Sequence, residues 1–130
     1  MGVDYGVKRV GLAMADSDAR LASPLTTVSP ADLPAVIQRQ GPFDVLVVGL
    51  PRSLDGTETP QTLAVRRFTD DLLDHHSHLL GSSIELVFQD EAGTSSVAEE
   101  RLLESGKPFK PEDIDAEAAT IILQDYLDTL

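Results

Sequence analysis

Three apolar runs open the chain and predict an antiparallel meander of short strands. The first run covers residues 1–3 and leads into Asp4, the second covers 10–14, and the third covers 21–28, with turn residues between them. Pro24 interrupts the third run, and a proline cannot donate a hydrogen bond to a strand ladder. The third strand is therefore predicted at an edge of the sheet and the first strand innermost.

The rest of the chain alternates between helical and extended patterns. The continuously apolar run 45–48 is typical of a strand covered on both faces, and a further strand is predicted over 84–88. Helices are predicted over 31–40 and 61–76, from Thr94 or Ser95 to Ser105, and from 111 or 112 to 127, with Gly81-Ser82-Ser83 and Gly106 as breakers. These elements predict one α/β domain over residues 1–130. Its mixed sheet has five strands, a meander of strands 1–3 and then parallel strands 4 and 5, with helices on both faces.

Composition excludes several classes of protein. The chain has no cysteine, which excludes disulfides, thiolate metal sites and cysteine nucleophiles. No apolar run approaches the roughly 20 residues that span a bilayer, and no signal peptide precedes the first strand. We therefore expect a cytoplasmic protein that does not insert into membranes.

The net charge of −12 argues against a general affinity for nucleic acid, because such a chain repels phosphate as a whole. Many of the acids fall in predicted helices. Several basic residues instead fall in predicted loops: Lys8, Arg9, Arg52, Lys107 and Lys110. The sequence therefore predicts a local basic rim on an acidic body.

Three acidic positions from distant parts of the chain are predicted to meet at one edge of the sheet. Asp4 follows the first strand, Glu91 follows the fifth, and parallel strands of an open α/β sheet end at a common crevice. Asp115 lies on the apolar stripe of the last helix, at helical spacing from Ala119 and Ile122. Taken singly, Asp4 is better explained as a turn cap and Asp115 as a charge that favours the helix dipole.

A cluster of these carboxylates would repel and raise the pKa of its members unless a cation lay among them. The donors would all be oxygens, which select a hard ion such as Mg²⁺ or Mn²⁺, and such sites usually handle phosphates. The histidines His75, His76 and His78 are more simply explained as a solvated helix end, where cations are favoured.

Four segments of the chain resemble, in order and spacing, the sequence blocks of the YqgF family, also called RuvX, of the RNase H-like superfamily. The segments are VDYGVKRVGLA, VVGLPRSLDG, QDEAGTSSVAEERL and IDAEAATIILQDYL. The resemblance implies an RNase H-like sheet and a nuclease that uses two Mg²⁺ or Mn²⁺ ions, with Asp4, Glu91 and Asp115 as catalytic metal ligands. Nucleic-acid contacts are then expected from Lys8, Arg9, Arg52 and Lys107.

The resemblance implies one of two substrates. One is the 5′ end of pre-16S ribosomal RNA, with ribosomal components as partners, and the other is the Holliday junction, which a homodimer would suit. Gly6 and Gly49 lack side chains where nucleic acid would come close, although turn geometry explains them equally well.

At two places this chain departs from the family pattern, and both bear on whether the family's function applies to it. The first is Ala92, which stands where the family usually has an arginine. The second is the short start, with only three residues before Asp4. The short start raises the hypothesis of a misplaced start codon, which a measurement of the intact mass tests. Ala92 and the acidic charge favour a third alternative, a weakly active or non-catalytic RNA-binding adaptor. A sugar-kinase-type ATPase would need a second phosphate hairpin, for which 130 residues leave no room.

Overall fold

The structure is a computed structural model that describes residues 1–16, 18–80 and 84–130. No helix in these ranges is long and apolar enough to cross a membrane. The elements, in chain order, are β1 (Gly2–Tyr5), β2 (Val10–Asp16), β3 (Leu21–Val28), a 3-10 turn (Pro30–Asp32), α1 (Leu33–Gln40), β4 (Val45–Pro51), α2 (Pro60–Leu80), β5 (Glu85–Glu91), α3 (Thr94–Glu104) and α4 (Pro111–Leu127).

The five strands form one mixed sheet in the order β3-β2-β1-β4-β5, which confirms the predicted fold class. The strands β1, β2 and β3 pair antiparallel, and β4 pairs parallel with both β1 and β5. The proline-containing strand β3 lies at an edge, as predicted, and the ladder shifts register opposite Pro24, between Leu12 and Ala13. The strand β1 is central, so Asp4 lies in the middle of the sheet.

Helices cover both faces of the sheet because successive side chains of each strand point to opposite sides. On one face, Leu46 and Val48 of β4 join a core with residues of α1 and α2. On the other face, Val47 joins Ala13 and the α4 residues Ala119, Ile122 and Leu123. All three β4 residues are fully buried, as the continuous apolar run predicted.

Glycines allow α4 to approach the sheet closely. A Cβ atom at Gly11 would lie 2.0 Å from the carbonyl oxygen of Asp115, and one at Gly2 would lie 2.7 Å from Cβ of Leu123. Any larger residue would push the helix away. This contact sets the position of the start of α4, and therefore of Asp115, relative to the central strands.

Several predicted boundaries were wrong. Asp4 lies inside β1, paired with Gly11, rather than in a turn. The cap of α3 is Gly93, at φ 69°, rather than Thr94 or Ser95, because Thr94 uses its hydroxyl to bind Glu91. The predicted strand 84–88 is shifted toward Glu91, and α2 extends to Leu80 with a non-helical residue at His76. The predicted breaker 81–83 lies outside the described residues.

Candidate functional site

Asp4 is the central acid of the site because β1 lies between β2 and β4 and ends at the crevice. The Asp4 side chain is largely enclosed by the neighbouring elements. Burial, with a smaller contribution from the negative charge of Asp115, raises the pKa of Asp4 to about 7. A carboxylate in this setting has a strong need for a positive partner.

Glu91 is the last residue of β5, directly before the turn into α3. The Thr94 hydroxyl donates a hydrogen bond of 2.6 Å to Oε2 of Glu91. The other carboxylate oxygen, Oε1, is buried and has no hydrogen-bond partner within the described ranges. The pKa of Glu91 is raised to about 7, chiefly by burial. The carboxyls of Asp125 and Asp4 contribute to this rise, and the hydrogen bond from Thr94 opposes it.

Asp115 lies in the second turn of α4 and faces the end of β1. The Nε atom of Arg9 donates a hydrogen bond of 2.7 Å to its Oδ2. Burial raises the pKa of Asp115, although the charge and hydrogen bond of Arg9 act in the opposite direction. Burial outweighs the ion pair because Arg9 itself remains half exposed.

Two adjoining hollows open at this edge of the sheet, and Asp4 lines both of them. The first has a volume of about 180 Å³ and contains Glu91, Arg52 and the start of α3. The second has a volume of about 250 Å³ and contains Asp115 and Arg9. Pro51 and Ser95 also line both hollows. The structure thus brings the three predicted acids together as two pairs that share Asp4.

The donor set fits a hard divalent cation in each hollow. In the described part of the chain, no three His, Asp or Glu side chains are arranged to surround a single metal ion. Mg²⁺ does not require this, since it is commonly bound by one or two carboxylates together with waters and substrate phosphates. The partnerless Oε1 of Glu91 and the raised pKa values of Asp4 and Glu91 are what such a cation would relieve.

The four predicted basic contacts do not share one location. Arg52 lines the first hollow and is held at its rim by Asp90, with 2.9 Å between Nε and Oδ1. Arg9 lines the second hollow but is engaged with Asp115. Lys8 is exposed in the β1–β2 turn, and Lys107 is exposed in the connection between α3 and α4; neither lines a hollow.

The two glycines singled out in the sequence have packing reasons to be glycine. A Cβ at Gly6 would lie 2.8 Å from the carbonyl oxygen of Arg9 across the turn, and one at Gly49 would lie 2.4 Å from Cδ1 of Ile122 on α4. Gly49 also lines the first hollow. Turn geometry accounts for Gly6 and helix packing accounts for Gly49, without any need for a ligand.

The histidines lie near the far end of α2. His75 and His78 are exposed, and Nε2 of His75 lies 3.4 Å from Oδ1 of the exposed Asp71. Within the described residues they form no metal-binding group. The placement of His75 and His78 agrees with the predicted solvated helix end, whereas His76 is half-buried.

Two residues of the site were missed at the sequence level. Asp125, three residues after Ile122 on α4, raises the pKa of Glu91, and its helical spacing from Ile122 was the available signal. Ser95, which lines both hollows, was predicted only as a possible cap of α3.

Comparison with known proteins agrees with this architecture. A family model described as RuvX, Holliday junction resolvase, matches residues 1–129. A relative from Chloroflexus aurantiacus, named "Putative pre-16S rRNA nuclease", is 42% identical over 98% of this chain and 85% of its own length. Relatives with the same name from Anaeromyxobacter sp. (strain K) and Sulfurihydrogenibium sp. (strain YO3AOP1) are 40% and 36% identical. They match over 98% and 100% of this chain and 95% and 90% of their own lengths.

A solved structure shares the fold at low sequence identity. It is the Fowlpox virus resolvase in complex with substrate Holliday junction DNA, with a TM-score of 0.53 and 13% identity over 98% of this chain and 95% of the resolvase chain. At this identity the likeness concerns the fold alone, and it agrees with the predicted five-stranded mixed α/β sheet. The family model and the relatives together establish that the chain belongs to the RuvX family.

Proposed function

We propose that this chain is a metal-dependent nuclease that hydrolyses phosphodiester bonds in precursor 16S ribosomal RNA, at its 5′ leader. The observation that carries the proposal is the position of Asp4, which shares one hollow with Glu91 and the other with Asp115. Family membership and the names of the relatives support the choice of ribosomal RNA.

The acids would hold two Mg²⁺ or Mn²⁺ ions, one at Asp4 and Glu91 and the other at Asp4 and Asp115. Bound divalent cations supply Lewis acidity that lowers the pKa of the attacking water and neutralises charge on the leaving 3′ oxygen. The Asp4 carboxylate is the common element of both pairs. Its loss is therefore expected to disable both hollows at once.

The neighbouring residues orient these acids and the substrate. The Thr94 hydroxyl holds Oε2 of Glu91, which leaves Oε1 as its free ligand atom. Arg52, held at the rim by Asp90, presents a guanidinium to a backbone phosphate. Arg9 keeps Asp115 neutralised until a cation or a phosphate competes for one of the two partners.

A cleavage assay with three labelled substrates tests the proposal. Single-stranded RNA, a pre-16S 5′-leader fragment and a four-way DNA junction are each incubated with Mn²⁺, Mg²⁺ or EDTA. We expect metal-dependent cleavage by the wild type, none by Asp4→Asn, and full activity of Asp70→Asn, whose carboxyl is exposed on α2. Equal cleavage by Asp4→Asn and wild type would refute the assignment of the site.

A Holliday-junction resolvase is the second candidate, because the family description and the fold neighbour both concern junction resolution. Symmetric cleavage of a four-way junction requires two active sites, so this function also requires a dimer. Preferential cleavage of the junction, together with a dimeric mass in solution, would select the resolvase over the ribosomal RNA nuclease.

The third candidate is a non-catalytic RNA-binding adaptor. It is favoured by the net charge of −12 and by Ala92, which is exposed beside Glu91 and leaves room for the arginine usual in the family. The variant Ala92→Arg separates the two cases. A rise in metal-dependent cleavage is expected of an enzyme that lacks one phosphate clamp, whereas RNA binding without cleavage by wild type and variant supports the adaptor.

A further inference from the structure

A third cavity lies beside the candidate site, on the face of the sheet that α1 and α2 cover. Its volume is about 370 Å³, within the range of small-molecule sites. The rings of Tyr5 and Phe68 stack in its wall, with centroids 4.2 Å apart and planes 14° from parallel. Leu33 and Leu72 add apolar surface.

Polar groups complete the wall on the α2 side. Arg67, Asp71 and His76 line the cavity and provide hydrogen-bond donors and acceptors. The non-helical backbone at His76 interrupts α2 at this point. The combination of stacked aromatic rings, a guanidinium and a few polar groups is typical of sites that bind an unstacked nucleobase.

Tyr5 connects this cavity to the catalytic hollows. It follows Asp4 directly in β1, and it also lines the second hollow, where Asp4 and Asp115 lie. Tyr5 is the residue at which the second hollow and the cavity meet, so a strand with its phosphate at Asp4 would have this cavity at the edge of its path. This continuity argues for a nucleobase of the same strand as the occupant, rather than an unrelated small molecule.

The two neighbouring arginines of α2 have different surroundings. Arg66 pairs with Glu58, with 2.7 Å between Nε and Oε1, and lies 5.7 Å from the ring centre of Phe88. Arg67 instead lines the cavity. The chain thus contains a matched pair in which one arginine belongs to the cavity and the other does not.

We propose that this cavity binds an unpaired nucleobase next to the scissile phosphate, stacked on the Tyr5–Phe68 pair and contacted by Arg67. The inference rests on the proposed nuclease function and narrows its substrate. A base enters such a cavity only when it leaves its helix, so the preferred substrate is single-stranded or frayed nucleic acid rather than a fully paired junction.

The test is equilibrium binding of short RNA strands that carry the fluorescent base 2-aminopurine at successive positions. Ca²⁺ replaces Mg²⁺, and strand integrity is checked on a gel. For the wild type we expect one position at which the fluorescence falls several-fold, because stacking quenches this base. The same base within a perfect duplex is expected to show no protein-dependent change.

Three variants and one control decide the assignment. Phe68→Leu retains apolar volume but removes the stacking ring, and Arg67→Gln removes the guanidinium; each is expected to weaken binding at least about fivefold and to relieve the quench. Phe68→Tyr keeps a stacking ring and is expected to retain the quench. Arg66→Gln is expected to leave the quench unchanged. Thermal melts establish that each variant is folded, and the exposed Arg67 provides a test even if Phe68→Leu does not fold.

Absence of any quench in wild type, or equal affinity and quench in wild type, Phe68→Leu and Arg67→Gln, would overturn the proposal. The nuclease function is scored separately by cleavage. Quenching without cleavage would support the nucleobase cavity and contradict the nuclease function. The opposite result is cleavage without any quench and without an effect of the cavity variants on kcat/KM. It would support the nuclease function and contradict the nucleobase cavity.

Discussion

The guanidinium of Arg9 lies 2.7 Å from the carboxylate of Asp115 and joins the β1–β2 turn to α4. The ion pair engages Asp115, which is one of the three acids on which the proposed metal sites depend. An arginine in this position acts as the counter-charge of Asp115, and it would compete with a bound metal ion for the same carboxylate.

We expect Arg9→Gln to lower the free energy of unfolding in EDTA by at most about 1 kcal/mol, because the pair is partly exposed and screened. The same variant is expected to bind Mn²⁺ more tightly, since the competing charge is gone. Isothermal titration with Mn²⁺ and urea unfolding measure the two effects.

Arg66→Gln is the matched control, because Arg66 forms an ion pair of equal length, 2.7 Å, with Glu58. It is expected to change stability by a similar amount and to leave Mn²⁺ affinity unaltered. Unchanged Mn²⁺ affinity in Arg9→Gln would show that Arg9 and a cation do not compete for Asp115.

Asp4 is expected to make the metal-free protein less stable as the pH rises. Its pKa is about 7 in the folded protein against 3.8 as the ordinary value, so between these limits the folded state binds more protons than the unfolded state. The free energy of unfolding therefore falls as the pH rises from about 4 to 7. Asp4→Asn removes the contribution of Asp4 to this loss of stability. The variant is therefore expected to be more stable than the wild type at pH 8 by about 2–4 kcal/mol.

Urea unfolding in EDTA at a series of pH values between 4 and 8 measures the slope for the wild type and for Asp4→Asn. Asp70→Asn, which alters an exposed carboxyl on α2, is expected to retain the wild-type slope. A wild-type slope in Asp4→Asn would contradict the assigned protonation of Asp4.

The contact between Gly11 and α4 predicts a graded response to added methyl groups. Gly11→Ala would place Cβ 2.0 Å from a backbone oxygen of α4, which cannot move without the helix. We expect a cost of about 3 kcal/mol or more. Gly49→Ala meets only side-chain atoms of Ile122, which can change rotamer, and is expected to cost about 1–2 kcal/mol. Urea unfolding of both variants gives the order, and the reverse order would argue against this packing of α4.

Arg52 and Lys107 are predicted to differ in their effect on nucleic-acid binding. Arg52 lines the first hollow, whereas Lys107 lies in the exposed α3–α4 connection. Arg52→Gln is expected to weaken RNA binding and to lower the slope of log affinity against log salt by about 1, as the loss of one phosphate contact does. Lys107→Gln should leave both quantities close to wild type. Fluorescence anisotropy at several salt concentrations measures them, and equal effects of the two variants would place the strand across the α3–α4 connection.

Local sequence pattern specified several features of this fold. The meander of strands 1–3 and the burial of β4 followed from periodicity, since the pattern of a segment reflects which of its faces are covered, and Pro24 indicated the edge strand. Because parallel strands end at a common edge of the sheet, Asp4 and Glu91 were predicted to lie close together there. The prediction of Asp4 as a turn residue failed because β1 is short and its ladder with β2 extends to Tyr5.

The sequence by itself determined the fold class, the family resemblance and the three candidate acids, because each depends on residue types at regular or recognisable spacing. Only the tertiary structure decided that these acids form two pairs sharing Asp4, that Arg9 binds Asp115, and that Tyr5 stacks on Phe68. These relationships join residues far apart in the chain. Their distances follow from how closely α4 packs on Gly11 and how α2 packs against the sheet, and the spacing of residues along a single segment does not encode either one.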